Sequence, residues 1–182
     1  MKKLLISAIL CIMSITASYE AAHALNPYTI KREAEGGMVH SQFLLAILYT
    51  TGAESEIIPP DPHKAREWYE KAALQGHPGA QLAMASIYET GHFVERDMKK
   101  AFMWYEKAAN CGFSIALVRM GEFYEKGIDV EKDLAKAMEW YEKGVLANNE
   151  EAKVRLENLK KKMTASQKAQ AEAAQPAEAA KP

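Results

Sequence analysis

Cysteine is almost missing from this 182-residue chain, which has two in all, Cys11 and Cys111, so no disulfide framework can hold it together. Charge of one sign is missing too. The 23 Lys and Arg balance 24 Asp and Glu to a formal net charge of −1, which sets nucleic acid aside as a partner. Glycine and proline are scarce, at 10 and 7, while Ala, Glu, Lys, Leu and Met are abundant, a balance that leans toward helix. Beyond the N-terminal segment no apolar run approaches the roughly 18 residues of a membrane span, so no membrane insertion is expected there. What the chain does have is enough apolar character for a core, 48% of its residues.

The N-terminus reads as an address. Lys2 and Lys3 precede the apolar stretch from Leu4 to Ile15, and Ala22, His23 and Ala24 form a small-any-small triplet before Leu25. This is the pattern of a secretory signal peptide over 1–24, cleaved near Ala24. Lipid attachment at Cys11 is disfavoured by the large Leu10 before it and by its place inside the apolar region. Cleavage places the rest in an oxidising compartment, periplasmic or secreted, with Cys111 as its one thiol. A lone Cys is expected to be a small packed hydrophobe, with an intermolecular disulfide as the alternative.

An internal repeat organises the chain beyond this segment. Trp-Tyr occurs at Trp68-Tyr69, Trp104-Tyr105 and Trp140-Tyr141, each pair 36 residues after the last. The same offset joins Asp61, Asp97 and Asp133, then Ala65, Ala101 and Ala137. Tyr49 and Gly52 precede Tyr88 and Gly91 by 39, which puts a three-residue insertion between Gly52 and Ile58.

Each unit reads as two helices. Helix A ends at Gly52, Gly91 or Gly127, where positive φ is accessible, and helix B starts at an Asp able to accept from its first-turn amides. At about 100° per residue, Ala65, Trp68, Tyr69, Ala72 and Ala73 fall within an arc of about 140°, while Glu67, Glu70 and Lys71 lie outside it. Alanine permits close helix approach and the aromatics fill the remaining space. The expected layout is an N-terminal capping helix in 25–37, repeats at 38–76, 77–112 and 113–148, and a capping helix at 149–163 whose Lys160, Lys161 and Lys162 suit its C-terminus. An Ala/Gln/Pro-rich tail, 164–182, has no aromatic residue and is expected to be disordered.

Segments such as GAQLAMASIYETGHFVERDMKKAFMWYEKAANCG resemble Sel-one-like repeats, slightly longer relatives of tetratricopeptide repeats. The resemblance covers roughly Glu33 to Lys162. Ala46 and Ala85 depart from it at the helix A Gly, Gly144-Val145 at the Ala-Ala pair, and Asn148 at the last Gly. It implies an all-α, right-handed α-solenoid binding protein or peptide ligands. Exported bacterial members are commonly adaptors, envelope proteins or host-interaction (virulence) factors, and some cysteine-rich members are linked to β-lactam binding or hydrolysis.

Chemistry of its own is hard to find. There is no Ser-x-x-Lys, Lys-Thr-Gly, His-Glu-x-x-His, Cys-x-x-Cys or Gly-rich phosphate loop. His40, His63, His77 and His92 show no ligand spacing, so no metal and no cofactor are expected. Glu70, Glu106 and Glu142 recur in one environment, whereas an acid and base pair needs two. Catalytic residues are therefore expected to be none, and the alternative of a cell-wall or β-lactam hydrolase rests on family association alone.

The register implied by the resemblance points the A helices into a concave groove, presenting Phe43, Ile47 and Thr50, then Leu82, Ser86 and Glu89, then Val118, Glu122 and Glu125. An apolar stripe edged by acid would suit a peptide carrying Lys or Arg beside apolar anchors. The competing expectation is that Leu82 and Val118 are core between repeats.

Overall fold

The structure, a computed structural model, describes residues 26–52 and 57–173. The expected signal segment at 1–24, the tail from 174 onward and most of the inserted loop lie outside the described residues. Among the described residues there are eight helices and no strand: α1 Pro27–Glu35, α2 Val39–Thr51, α3 Pro62–Leu74, α4 Pro78–Thr90, α5 Met98–Asn110, α6 Ser114–Lys126, α7 Leu134–Leu146 and α8 Glu150–Ala173. Helices α2 to α7 have 13 residues each, the length of one A or B helix.

Local chemistry sets these boundaries three times over. Asp61, Asp97 and Asp133 accept from the amides of Lys64, Lys100 and Lys136 at 3.0, 2.9 and 3.0 Å, opening α3, α5 and α7. Each Asp amide also donates to the carbonyl of Tyr49, Tyr88 or Tyr124 at 2.9 Å, so the start of B is tied to the end of A. Gly127, at φ 70°, closes α6 in a left-handed turn that a side chain would strain. Asn148 takes φ 57° where the earlier units have Gly76 and Gly112, and the amide of Asn149 still reaches the Gly144 carbonyl at 3.0 Å. The third unit therefore ends as the others do.

The chain divides into two compact units, with the division at Met84/Ala85 inside α4. In the N-terminal unit α2 packs on α1 and α3 around Ile30, Ala34, Leu45, Tyr49, Ile58 and Ala65. Beside that core Gln42 Nε2 donates to the Ala34 carbonyl at 3.3 Å, and its Oε1 accepts from Gln75 at 2.7 Å. In the C-terminal unit α6 packs on α5 and α7, and α8 closes over α6 and α7, burying Val118, Ala137, Tyr141, Ala152, Leu156 and Leu159. The tryptophans are half-buried, each with a lysine one turn on lying over its ring at 3.9, 4.4 and 4.0 Å: Lys71 on Trp68, Lys107 on Trp104, Lys143 on Trp140.

Two expectations change. Cys111 is exposed, because it is the C-cap residue of α5, a position that faces water in every repeat, as Gln75 and Ala147 do. Helix α8 runs to Ala173, ten residues past the expected end at 163. Extending an existing helix adds a hydrogen bond per residue without a new nucleus, and Ala, Gln, Lys and Glu have the propensity for it.

Candidate functional site

The residues expected to line a groove fall on both units, and the surroundings differ. On the N-terminal unit Phe43, Ile47 and Leu82 are half-buried and Thr50 is exposed. Phe43 stacks on His77 with ring centres 4.3 Å apart and tilts against Tyr69 at 5.9 Å. Thr50 Oγ1 meets the Tyr69 hydroxyl at 3.4 Å. His77 caps α4, its Nδ1 accepting the Ala80 amide at 3.2 Å, so its proton lies on Nε2, which faces His40 Nδ1 at 3.5 Å. Burial, and then His40 beside it, hold the His77 pKa below its ordinary value.

The C-terminal unit corrects the expected acidic edge. Val118 is 2% exposed and belongs to the core under α8, so the competing expectation holds at this position. Glu122 is 4% exposed and sits between two guanidinium groups. Arg119 Nη1 donates to it at 2.6 Å, Arg155 Nη2 pairs with its other oxygen, and Lys126 stands at 4.0 Å. Arg119 also reaches both oxygens of Glu89 at 2.9 Å, and the Tyr105 hydroxyl donates to Glu89 at 2.6 Å. Glu125 accepts from the Tyr141 hydroxyl at 2.8 Å and from Lys162 at 3.0 Å. Ser86 is exposed and adds no charge.

The titration behaviour follows from these contacts. Burial would raise the pKa of Glu125, but the bonds from Lys162 and Tyr141 outweigh it and hold it below the usual carboxylate range. Burial first, and then bonding to Glu89 or Glu125, push the Tyr105 and Tyr141 hydroxyls well above theirs. Burial opposes the charge on Arg119, yet its acidic partners win and its pKa rises. These carboxylates are locked into the scaffold, which leaves them little capacity for a basic ligand.

One open feature of this unit lies beyond Glu125. A cleft of about 670 Å³ is floored by Leu134, Leu159 and Met163 and bordered by Lys126, Lys132 and Lys162. Of the cleft's lining Glu125 was in the expected groove, and the other six residues were not. A signal was present, however: Lys126 and Lys162 occupy the register that carries Thr51 and Thr90 in the first two repeats. Among the described residues no three His, Cys, Asp or Glu side chains gather where a metal ion could be held, and no helix is long and apolar enough to cross a membrane.

Comparison with known proteins now gives these hairpins their context. The family model described as Sel1 repeat matches three times, at 39–77, 78–113 and 114–149. The first match is three residues longer than the others, in keeping with the insertion after Gly52. A Sel1 repeat protein from Oxalobacter formigenes is 40% identical over 71% of this chain and 95% of its own, with a TM-score of 0.67. The protective antigen c5321 of uropathogenic Escherichia coli is 27% identical, with a TM-score of 0.51, over 70% of this chain but only 34% of its own. Cysteine rich protein B of Helicobacter pylori is 20% identical over 69% of this chain and 93% of its own, with a TM-score of 0.53, a likeness of fold alone. No curated protein matches the chain.

Proposed function

This chain belongs to the Sel1 repeat family, an all-α helical-repeat solenoid whose members are generally protein–protein interaction scaffolds, and we propose that it is an exported, non-catalytic adaptor for a protein or peptide partner in the bacterial envelope. The observation that carries this reading is the division of labour in the C-terminal unit. Its glutamates and arginines satisfy one another, and beside them a lysine-bordered cleft with an apolar floor opens to solvent. A site of that kind recognises surface, whereas the positions expected to show acid are held in structural bonds.

Export rests on the Lys2-Lys3 start, the apolar stretch after it and the Ala22-His23-Ala24 triplet. The description of the Escherichia coli relative as a protective antigen is compatible with such a location. Crosslinking in intact cells through a tagged chain, followed by mass spectrometry, tests both parts. The expected result is a stoichiometric protein partner attached to a chain that begins at Leu25 and is released by osmotic shock. Reproducible turnover of a chromogenic cephalosporin or of purified peptidoglycan would replace the adaptor with an enzyme. An uncleaved chain in the cytoplasmic fraction would remove export.

A further inference from the structure

Helix α8 stands in the register of an A helix. Arg155, Val154 and Lys162 follow Arg119, Val118 and Lys126 by 36 residues, and α8 packs on α7 as α6 packs on α5. Helices α2, α4 and α6 are each followed by a B helix, and among the described residues α8 is not. The second core cluster therefore comes to the surface along its flank, where Leu134 and Met163 are half-buried and Leu159 forms the floor between them.

Charge decides what can cover this flank. The one acid on the rim, Glu125, already accepts from Tyr141 and Lys162. Lys126 faces Glu122 at 4.0 Å, but that carboxylate is held by two arginines. Lys132 is in no ion pair among the described residues, and its neighbour Asp133 is engaged in capping α7 and in pairing with Lys136 at 3.6 Å. The rim thus presents Lys132, in no ion pair among the described residues, and Lys126, paired only at 4.0 Å with Glu122, above an apolar floor. A basic ligand would meet repulsion, and an uncharged apolar one would leave the Lys132 ammonium without a counter-charge.

We propose that this cleft receives an acidic segment of the partner protein, with one large apolar side chain seated over Leu134, Leu159 and Met163 and carboxylates flanking it against Lys126 and Lys132. The proposal rests on the scaffold reading and reverses the ligand charge expected from sequence.

Fluorescence anisotropy on the purified chain tests it with three labelled peptides: Leu among Glu and Asp, the same peptide with Ala for Leu, and a peptide with Lys for each acid. Saturable binding is expected for the first alone, weakening as salt is raised. The K126E/K132E double variant, kept at a temperature where its circular dichroism is still that of the folded chain, should bind it about tenfold more weakly and should gain binding to the lysine peptide. Equal binding of the Ala peptide would mean non-specific attraction of polyanions and overturn the proposal. So would preference for the lysine peptide, or affinity that the double variant leaves unchanged. Concentration-dependent self-association abolished by K132E, in place of peptide binding, would reassign the cleft to a second copy of the chain. If crosslinking captures a stoichiometric partner equally well with the double variant, the adaptor stands and the cleft proposal falls.

Discussion

At the register where the first repeat has Thr50, the second and third have Glu89 and Glu125, and the facing tyrosine of the first is engaged differently from the other two. Tyr69 meets Thr50 at 3.4 Å near solvent, whereas Tyr105 and Tyr141, 3% and 0% exposed, donate to Glu89 and Glu125 at 2.6 and 2.8 Å. The same contrast holds one turn away. Leu44 and Ile47 of the N-terminal unit correspond to Arg119 and Glu122 of the C-terminal unit, so half-buried apolar side chains in the first stand where the second has a guanidinium group and a carboxylate. The hairpin itself, set by Asp caps, alanines and Trp-Tyr, is indifferent to this exchange. Its polar tier can be neutral or ionic while the fold stays the same.

Removing the centre of the ionic tier should have the largest effect. Glu122→Ala leaves Arg119 and Arg155 facing each other without the carboxylate between them. A buried pair broken on one side loses about 3–5 kcal/mol, and because both arginines are about a third exposed and partly screened, about 2–3 kcal/mol is expected here. Ile47→Ala, at the same register of the N-terminal unit, removes a half-buried apolar side chain and should lose only about 1 kcal/mol. Urea unfolding followed by circular dichroism compares the two. Equal losses would mean that the ionic tier contributes no more than the neutral one.

Packing gives the next contrast. Gly121 lies against Tyr141, and a Cβ there would stand 2.6 Å from Cδ1 and 2.8 Å from Cζ of its ring. Gly121→Ala should destabilise by about 1–3 kcal/mol, as overpacking does. Ala46 and Ala85 already hold this register in the other repeats and are fully buried, so alanine is acceptable to the hairpin in general. A neutral result in thermal unfolding would show that the Tyr141 ring can move aside and that its fit against α6 is loose.

What the sequence displays is what each hairpin decides alone. The 36-residue offset, the Asp caps, the glycine stops and the Ala-aromatic stripe are local, and their helices lie where the periodicity puts them. Pairing between one repeat and the next is mostly not local. Glu89, Glu122 and Glu125 read as an exposed acidic edge because, apart from Arg119 one turn before Glu122, the groups that converge on them, Tyr105, Tyr141, Arg155 and Lys162, are distant in the chain. Val118 was readable as either groove or core, and only the position of α8 decides for core. The lysine cleft was half legible, through the change from Thr51 and Thr90 to Lys126 and Lys162, but its floor depends on where α8 ends against α7.

A smaller effect should separate the two kinds of tyrosine contact. Tyr141→Phe removes a donor to a partly buried carboxylate and should lose about 1 kcal/mol, less than a fully buried charged bond because Lys162 still serves Glu125. The bond helps hold the Glu125 pKa below its ordinary 4.5, so its stabilisation is whole above that pH and fades as the pH falls toward the folded-state value. The loss in the variant should therefore shrink in acid. Tyr69→Phe, with only a long contact to Thr50, should change stability by less than about 0.5 kcal/mol at any pH. Denaturant midpoints across pH for both variants test the pair.

The smallest effect belongs to the neutral tier and should be confined to one helix end. His77 caps α4 through an unprotonated Nδ1, and its pKa lies below the ordinary 6.5. Its contribution is therefore whole above pH 6.5 and is lost as the pH falls from there toward the folded-state value. Protonation at Nδ1 of His77 ends acceptance from the Ala80 amide, which then faces an N–H group. Acid should accordingly lower the hydrogen-exchange protection factor of the Ala80 amide a few-fold. At the same register α6 has Phe113, with no side-chain cap bond, and α8 has Asn149, whose amide oxygen accepts from Ala152 at 3.0 Å and does not titrate. Protection at Ala116 and Ala152 should not respond over the same range. His77→Asn offers the cap of α8 to α4, and it should keep Ala80 protected while abolishing the pH dependence. Should the dependence persist in that variant, its source is not the histidine cap.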